Sequence, residues 1–600
     1  MCGIFGLVGA PIKNSGAADL VLDLLEMRGP DDKGVVEIGS ATLGHTRLAI
    51  QDAELGIQPM QSYSGVSTLV FNGEIYNHFE LRNMLPNQKW KTQSDTETVV
   101  ELIEAFGTEV ISRFIGMFAF GIWNNEKSEL TLGRDPFGEK PLYYSVDKNE
   151  LAFCSDPRGI STLLDRSSAL SINEMPYFLK YGYIRAEASS FSNVKMMKPG
   201  QILKWTNSGL HISCLQSQKV QNRNFKFEIT ELRTKLEAAV KRTLLADGSV
   251  GVMLSGGLDS SIIAALASKS LSQISTYTVS LIDNSEDARF ARDLAKRLKT
   301  NHYEIKINEK GLAEYIENIL VNAPQPFADS AIIPTYILSK FASQHVKVLL
   351  TGDGADEIFA GYGYYEKYKE FGLRKTPKYE SFLKQIRYEI SKDSRSKRIN
   401  RNREEFHDSL LMSGRISPQT SWSQDLAAFT DTELSRFFMS RCSQINKGDL
   451  AEGQENLVFW DVLYADRKSY LAGDILRKSD MGGMLASIEI RSPYLDKELI
   501  EYLSESITEP KELNKQILYR SCKDLIPEEI VQRKKQGFGA PLDIWLTYPS
   551  VEKLVSGVLT NPKSKIYQYF EYKKALSTLT KSNLKKWNFF ALAIWLENNE

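Results

Sequence analysis

The clearest pattern in the chain is an alternation of short apolar runs with segments of helical periodicity. The run at 250–254 is apolar, breaks at Ser-Gly-Gly and restarts with apolar residues at helical spacing: Ile262, Ile263, Leu266 and Ala267. A helical pattern at 225–245 precedes it, and four further segments follow: strand-like 275–281, helical Glu286–Leu298, strand-like 302–307 and strand-like 346–350. This alternation predicts a doubly wound, mostly parallel sheet, whose ligands bind beyond the carboxyl ends of the strands.

Composition places the chain among soluble globular proteins and excludes several classes. Its 600 residues predict two or more domains, and a net charge of −1 gives no basic field for nucleic acid. No apolar run is long enough to span a bilayer, and the N-terminus lacks the features of a signal peptide. The five cysteines are scattered without CxxC spacing: Cys2, Cys154, Cys214, Cys442 and Cys522. We therefore expect neither a disulfide framework nor a zinc site, and we expect a reducing cytoplasm as the location.

The break after the first apolar run has the chemistry of an anion cradle. Gly256 and Gly257 allow a tight turn with inward N–H groups, and the helix that follows adds the positive end of its dipole. A plain strand-to-helix turn is the alternative, and neither GxxxxGK[ST] nor GxGxxG is present. Asp259 can approach a magnesium ion, and Ser260 can donate to pyrophosphate oxygens. The sequence from Ser255 to Ser260 resembles the pyrophosphate loop of enzymes that adenylate a carbonyl or carboxylate oxygen with ATP.

A second glycine-rich loop, Thr351-Gly352-Asp353-Gly354-Ala355-Asp356-Glu357, follows the apolar run at 346–350. Its three carboxylates would repel one another, so a bound cation is expected, with a solvated acidic loop as the alternative. We predict that Asp259 and Asp356 hold Mg²⁺ carried by ATP.

Cys2 stands directly behind the initiator methionine. Removal of Met1 would leave an α-amine with a pKa near ~8, which can act as the base for the thiol of the same residue. An ordinary buried cysteine is the alternative.

A series of motifs along the first two hundred residues resembles the glutaminase domain of class II glutamine amidotransferases. In order, the motifs are Arg28-Gly29-Pro30-Asp31, His45-Thr46-Arg47-Leu48, Phe71-Asn72-Gly73-Glu74-Ile75-Tyr76-Asn77, Ser94-Asp95-Thr96-Glu97, Gly116-Met117-Phe118-Ala119-Phe120, Gly133-Arg134-Asp135-Pro136-Phe137-Gly138 and Pro141-Leu142-Tyr143-Tyr144. The resemblance implies an N-terminal-nucleophile fold of stacked sheets between helices, with Cys2 as the nucleophile.

The same resemblance implies a role for each polar residue of these motifs. Asn72 and the backbone N–H of Gly73 would stabilise an oxyanion. Arg47 would bind the glutamine carboxylate, and Asp95 with Glu74 its ammonium group. Taken singly, Arg47 could form a surface ion pair, Asn72-Gly73 a hairpin turn, and Asp95 a helix N-cap. One departure is Asp156, where the family usually has a glutamate near the inter-domain side.

The remainder of the chain resembles the asparagine-synthetase domain. The matching motifs are Lys478-Ser479-Asp480-Met481, Ser487-Ile488-Glu489-Ile490-Arg491-Ser492-Pro493-Tyr494-Leu495-Asp496, Lys515-Gln516-Ile517-Leu518 and Arg533-Lys534-Lys535-Gln536-Gly537-Phe538. The resemblance implies an ATP site formed by the following residues: Leu254, Ser255, Gly256, Gly257, Asp259, Ser260, Val279, Thr351 and Gly352. Lys515 would neutralise phosphate charge and Asp353 would be the base; alone, Lys515 could be a solvated helix-surface lysine.

These resemblances predict two domains, at 1–212 and 225–600, joined by a polar linker at 216–224. The segment 371–470 has few motifs, and its charged part at 375–403 is interpreted as solvated helical surface. The apolar helical pattern at 587–596 is expected to dock on the synthetase core.

The resemblance implies the activity of the asparagine synthetase B type, with glutamine, ATP and a carboxylate as small-molecule substrates. A homodimer is compatible with this expectation. Aspartate is the expected acceptor. The rivals are a simple N-terminal-cysteine amide hydrolase, a non-catalytic scaffold, and a paralogue that amidates another acid such as a sugar uronate. Two features favour the paralogue: Asp353 replaces the family's glutamate, and the acceptor-side segment 328–334 lacks the threonine and arginine of some asparagine synthetases.

Overall fold

The computed structural model describes residues 2–14, 16–147, 149–166, 169–215, 226–271, 273–281, 285–371, 427–439, 458–532 and 539–599. Three sequence predictions lie outside these residues: the linker at 216–224, the solvated helical surface at 375–403 and the motif at 533–538. Residues 2–215 are called the N-terminal half below, and residues 226–599 the C-terminal half. The domain boundaries themselves stay predictions.

The described strands form three sheets. In chain order they are β1 (Gly3–Val8), β2 (Asp32–Ile38), β3 (Ala41–Arg47), β4 (Met60–Gln61), β5 (Ser67–Ile75), β6 (Gly116–Asn124), β7 (Glu129–Arg134), β8 (Tyr143–Asp147), β9 (Glu150–Cys154), β10 (Lys195–Met196), β11 (Gln201–Thr206), β12 (Gly209–Cys214), β13 (Val250–Met253), β14 (Ser275–Ser280), β15 (Asn301–Lys306), β16 (Val348–Leu350) and β17 (Glu489–Arg491).

The N-terminal half is a sandwich of two six-stranded antiparallel sheets, in the orders β10-β8-β9-β1-β3-β2 and β12-β11-β7-β6-β5-β4. Apolar side chains from the facing strands form one core between the sheets. Helices Ala17–Leu25 and Pro157–Leu164 pack on the outer face of the first sheet, and Asp95–Phe106 packs on the second. The central strands are buried on both faces and therefore read as continuous apolar runs. The layered helix–sheet–sheet–helix arrangement confirms the predicted N-terminal-nucleophile fold.

The C-terminal half contains a five-stranded, fully parallel sheet in the order β15-β14-β13-β16-β17. Helices Ile229–Thr243, Leu258–Ser270 and Glu286–Leu298 cover one face. Helices Leu312–Asn322, Ile332–Ala342 and Leu476–Met484 cover the other. This confirms the doubly wound sheet predicted from periodicity. The strand order reverses between β13 and β16, so the loops after these two strands meet at the switch point where such sheets bind ligands.

The other described helices complete the two halves. They are His78–Leu81, Met175–Tyr181, Ala355–Ile358, Tyr365–Phe371, Asp431–Phe437, Val458–Asp466, the π-helix Arg467–Ile475, Lys497–Ser506, Lys515–Cys522, Glu528–Gln532, Leu542–Trp545, Pro549–Leu559, Tyr572–Leu579 and Asn583–Asn599. No described helix is both long and apolar enough to cross a membrane.

The C-terminal helix Asn583–Asn599 docks as predicted, and it also ties the halves together. The indole N–H of Trp587 donates to Ala328 O at 2.7 Å, and that of Trp595 donates to Ala323 O at 3.0 Å. The side-chain amide of Asn588 donates to Leu179 O in the N-terminal half at 3.1 Å. Buried indole and amide groups need such partners, so these bonds set the position of the helix.

Candidate functional site

Cys2 lies buried at the start of β1, and the neighbouring strands determine its position. Its backbone N–H donates to Asn72 Oδ1 at 3.0 Å, and its carbonyl accepts from Arg28 Nε at 3.1 Å. Burial raises the pKa of the Cys2 thiol, while a hydrogen bond from the Leu48 backbone and the charge of Arg47 oppose this rise. Since the thiolate is the nucleophilic form, a thiol in this position needs a base beside it.

Asn72 and Gly73 lie inside β5, not in a hairpin turn. Asn72 is fully buried, and its Nδ2 amide group has no hydrogen-bond partner, although its Oδ1 is held by Cys2. A buried donor without an acceptor is rare in folded proteins and indicates that a ligand supplies the acceptor. A Cβ at Gly73 would lie 2.1 Å from Met117 O, so the close approach of β6 requires glycine there.

Glu74 and Asp95 are both buried near this strand, as the predicted ammonium site requires. Asp95 begins helix Asp95–Phe106 behind the N-cap residue Ser94, and its Oδ2 accepts from Ile75 N at 2.8 Å. Burial raises the pKa of Asp95 to about 6 and the pKa of Glu74 well above its ordinary value. Gln51 donates its side-chain amide to Glu74 Oε2. A cationic ligand would relieve the repulsion between these carboxyl groups.

Arg47 is buried at the end of β3, but its contacts differ from the predicted ones. Its guanidinium donates to the carbonyls of Gln51, Asp52 and Ala53 at 3.1, 2.7 and 3.0 Å. These bonds shape the loop that presents Gln51 to Glu74. The structure therefore gives Arg47 a clear role in positioning this loop, and its contact with a substrate carboxylate stays a prediction.

Two charged residues of the C-terminal half reach the glutaminase-like site, and the sequence analysis assigned them no role. Arg491, on β17, places Nη2 3.5 Å from Glu74 Oε1 and donates Nε to Glu489 Oε1 at 2.7 Å. Both residues are fully buried. The apolar residues Ile488 and Ile490 indicated that this segment is buried, so its two charges needed partners, but the sequence did not identify those partners.

The loop after β13 forms a tight strand-to-helix turn, and its role as an anion cradle stays a prediction. Ser255 N donates to Ser260 Oγ at 3.2 Å, and the two serine hydroxyls lie 2.9 Å apart. Gly256 has φ +73°, and a Cβ there would lie 2.4 Å from Asp287 O. Gly257 precedes helix Leu258–Ser270 without a side-chain cap, so the first N–H groups of this helix face the loop.

The remaining predicted nucleotide-site residues lie at the carboxyl ends of β13, β14 and β16 or directly after them. Leu254 and Val279 are buried at the ends of β13 and β14. Thr351 follows β16 and donates its N–H to Arg491 O at 2.9 Å. A Cβ at Gly352 would lie 2.9 Å from Ser260 N, so the two loops touch.

Asp259 and Asp356 converge as predicted, with Lys515 between them. The Lys515 ammonium lies 2.5 Å from Asp259 Oδ1 and 3.0 Å from Asp356 Oδ1. Burial lowers the pKa of Lys515, but the two carboxylates outweigh burial and raise it. In this arrangement the ammonium stands where a divalent cation could bind. Within the described ranges no group of three or more metal-capable side chains occurs, so a metal ion here would need ligands from a substrate.

The three carboxylates of the second loop have separate partners and do not share one cation. Asp353 Oδ2 accepts from Ser479 Oγ at 2.5 Å, and its Oδ1 lies 3.6 Å from the ammonium of Lys478. Glu357 accepts from the Tyr362 hydroxyl at 2.6 Å, and burial raises the pKa of Glu357 to about 7. Asp353 is thus the carboxylate placed beside the contact between the halves.

A buried ion pair and a small cavity lie at the contact between the two halves. Arg28 donates to both carboxylate oxygens of Asp480, at 2.8 and 3.0 Å, while its Nε holds the carbonyl of Cys2. Beside this pair lies a cavity of about 20 Å³, lined by residues of both halves that include Tyr143 and Gln325. A single water needs roughly 10–15 Å³ on this scale, so the cavity admits a molecule of that size.

Comparisons with known proteins cover nearly the whole chain. The asparagine synthase family model matches residues 231–597, and the glutamine amidotransferase domain model matches residues 1–216. The chain is 27% identical to glutamine-hydrolyzing asparagine synthetase 1 of Bacillus subtilis (strain 168), over 99% of this chain and 96% of that protein. It is 29% identical to a putative glutamine-hydrolyzing asparagine synthetase of Mycobacterium tuberculosis (strain ATCC 25618 / H37Rv), over 91% of this chain and 88% of that protein. Among solved structures, glutamine phosphoribosylpyrophosphate amidotransferase from B. subtilis aligns at 14% identity and a TM-score of 0.28, covering 59% of this chain and 82% of that chain.

Proposed function

Since this chain belongs to the asparagine synthase family, we propose that it hydrolyses glutamine at Cys2 and transfers the ammonia to a carboxylate activated as its AMP ester. The observation that carries the first step is the buried, unpartnered Nδ2 of Asn72 next to Cys2. The oxyanion that forms on the side-chain carbonyl oxygen of glutamine, when the sulfur of Cys2 attacks the adjacent carbon, would supply the acceptor that this amide group lacks.

In the first reaction the sulfur of Cys2 attacks the side-chain carbonyl carbon of glutamine. The α-amine of Cys2, exposed by removal of Met1, takes the thiol proton and returns it to the leaving nitrogen, which departs as ammonia. Water then cleaves the thioester and releases glutamate. Asn72 Nδ2 and the backbone of Gly73 stabilise the negative oxygen, while Glu74 and Asp95 hold the ammonium group of glutamine and Arg47 its carboxylate.

In the second reaction an oxygen of the acceptor carboxylate attacks the α-phosphorus of ATP, and pyrophosphate leaves. The loop at 254–260 binds the pyrophosphate through backbone N–H groups and the hydroxyl of Ser260. Lys515 neutralises phosphate charge. Asp259 and Asp356, which now share the ammonium of Lys515, would hold the Mg²⁺ carried by ATP, and the ion would neutralise phosphate charge there. Ammonia then attacks the acyl carbon, Asp353 accepts a proton, and AMP leaves.

The cavity beside Arg28 and Asp480 supports an internal route for the ammonia. Arg28 contacts Cys2 at one end, and Asp480 adjoins Ser479, the partner of Asp353, at the other. An internal route also keeps water from the reactive acyl-adenylate. Aspartate is the acceptor that we propose; a sugar uronate is the alternative, favoured by the shorter acid at Asp353 and by the segment 328–334.

A labelled-nitrogen assay tests the proposal. The protein is incubated with amide-¹⁵N glutamine, Mg-ATP and aspartate, and all products are quantified. We expect glutamate, ¹⁵N-labelled amide product, AMP and pyrophosphate in equal amounts. Asp259→Asn should stop AMP formation and leave glutamine hydrolysis in place, since the two sites lie in separate halves. Release of ADP and phosphate by the unmodified protein would show that the loop at 254–260 has been misinterpreted.

A further inference from the structure

The charge environment of Glu74 depends on a residue from the other half of the chain. Arg491 is completely buried on β17, 417 positions from Glu74 in sequence, and its Nη2 lies 3.5 Å from Glu74 Oε1. Its other donors are anchored: Nε binds Glu489 Oε1 at 2.7 Å, and Nη1 binds the carbonyls of Thr243 and Leu245 at 2.8 and 2.7 Å. Nη2 has no hydrogen-bond partner. The guanidinium is therefore fixed through Nε and Nη1, and its Nη2 faces Glu74.

We propose that Arg491 is a positioning residue of the glutaminase site: it orients Glu74 and favours its ionised form for binding the ammonium group of glutamine. The inference rests on the proposed glutamine hydrolysis at Cys2. It assigns to the synthetase half a direct part in the binding of glutamine by the other half.

The charges around Glu74 explain why such a residue is needed. The groups that face Glu74 are the amide of Gln51, which donates to it, the carboxylates of Asp95 and Glu489, which repel its charge, and Arg491. Among these groups Arg491 is the cation. Burial, the largest influence, raises the pKa of Glu74, and Arg491 is the strongest influence that lowers it again. Without the guanidinium, Glu74 would be protonated over a wider pH range.

The protonation state of Glu74 decides how well it binds glutamine. An ionised carboxylate forms a charge-assisted hydrogen bond with the substrate ammonium, whereas a neutral carboxyl group does not. Glutamine binding should thus strengthen as the pH rises through the pKa of Glu74. Loss of Arg491 should raise the pKa of Glu74. Glutamine binding would then strengthen only at higher pH, and the KM for glutamine at neutral pH would rise.

Arg491→Gln tests this directly, because glutamine keeps an N–H donor but removes the charge and shortens the side chain. Glutamate release is measured between pH 5 and 9 in the full-length protein. We expect the KM for glutamine at pH 7 to rise roughly tenfold and its pH dependence to move to higher pH, and we expect Arg491→Lys, which keeps the charge on a shorter side chain, to give intermediate values of both. The matched control is Arg242→Gln, which removes an arginine paired with Asp496 and Glu498 inside the C-terminal half and should leave the KM unchanged.

A double-mutant cycle covers the case in which Arg491→Gln does not fold. The milder Arg491→Lys is measured in the original chain and in Glu74→Gln. If Arg491 acts through Glu74, the substitution changes the KM for glutamine in the original chain and has no further effect in the Glu74→Gln protein. The inference is overturned if the effects are equal in both backgrounds, or if Arg491→Gln keeps the original KM and its pH dependence. Either result leaves the proposed function standing. Absence of glutamine hydrolysis in the unmodified protein overturns the proposed function and the inference together.

Discussion

At the scale of single residues, the carboxyl groups of the two sites differ in burial and in their partners. In the N-terminal half, Glu74 and Asp95 are fully buried, and burial raises the pKa of each. In the C-terminal half, Asp259 and Asp356 keep side-chain exposures of 24% and 19% and share the ammonium of Lys515. The first arrangement suits the organic cation proposed for it, the ammonium of glutamine, and the second suits the proposed metal ion and phosphate groups.

The nucleophile gives the first prediction. Cys2→Ala should abolish glutamine hydrolysis, by at least about a thousandfold, because no other group replaces the attacking sulfur. Synthesis from added ammonium should continue, and mass spectrometry of the active protein should show that Met1 is absent. Cys214→Ala is the matched control, since Cys214 is an exposed free thiol on β12, an edge strand of the sheet that does not contain β1. Full glutamine-dependent activity in Cys2→Ala would refute the assignment.

The raised pKa of Asp95 gives a pH prediction. Asp95 is charged above a pH of about 6 and neutral below it, and only the charged form attracts the ammonium of glutamine. The KM for glutamine should therefore rise as the pH falls through about 6, and this pH dependence should be absent in Asp95→Asn. Steady-state rates of glutamate release across this range measure it. Asp147→Asn, at an exposed ion pair with Arg166, should retain the profile of the unmodified protein; a retained pH dependence in Asp95→Asn would contradict the assignment.

At the scale of elements, the nucleotide site depends on how closely the loops after β13 and β16 approach. Gly352 is the point of contact, because a Cβ there would lie 2.9 Å from Ser260 N and 3.0 Å from Asp259 Cβ. The strand order reverses between these two strands, so the loops are not separated by a third strand. A side chain at this point must push Asp259 away from Asp356.

Gly352→Ala should consequently reduce AMP formation at least about tenfold, the size of effect expected when catalytic groups are misplaced by a fraction of an ångström. Glutamine hydrolysis should continue, because Cys2 and Asn72 lie in the other half. Gly363→Ala is the control, since a Cβ there meets nothing within 4 Å. The measurement is pyrophosphate release with saturating aspartate and ammonium; normal release by Gly352→Ala would show that the loops do not need this contact.

Elements and motifs of this chain could be predicted from sequence to different extents. Helix Glu286–Leu298 begins and ends as its amphipathic pattern predicts, and the strands before and after it differ from the prediction by one residue at their ends. The pairing of Asp259 with Asp356 was also predicted. The contact between Glu74 and Arg491 was not, because periodicity reports which face of an element is buried and carries no information on charged pairs between distant segments.

At the scale of the whole molecule, the segment 328–334, predicted to lie on the acceptor side, contacts both the N-terminal half and the C-terminal helix. Ala328, in the acceptor-side segment, accepts from the indole of Trp587 and donates its N–H to Gly182 O of the N-terminal half at 2.7 Å. Arg158, paired with the shortened acid Asp156, also reaches across to Asn322 O at 3.2 Å. The segment that would recognise the acceptor is thus held by both halves, so changes at the contact between them should alter acceptor binding.

The last prediction concerns the acceptor. Aspartate is expected to support amide formation, because Asp353 can act as the base although it is one methylene shorter than the family's glutamate. Its Oδ2 is held by Ser479 at 2.5 Å and its Oδ1 faces Lys478 at 3.6 Å, so the short side chain is fixed against helix Leu476–Met484. A base fixed in this way can receive a proton from ammonia directly or through one water.

The test supplies glutamine and Mg-ATP with either aspartate or a panel of sugar uronates, and measures AMP and amide products. Asparagine formed together with an equal amount of AMP establishes aspartate as the acceptor. AMP formation that requires a uronate, with none from aspartate, would place the protein among amidating enzymes of polysaccharide precursors. Asp353→Asn should lower amide formation at least about a hundredfold by removing the base, whereas Asp353→Glu, which restores the family's acid, should retain activity. Equal activity of Asp353→Asn and the unmodified protein would exclude Asp353 as the base, whichever acceptor is used.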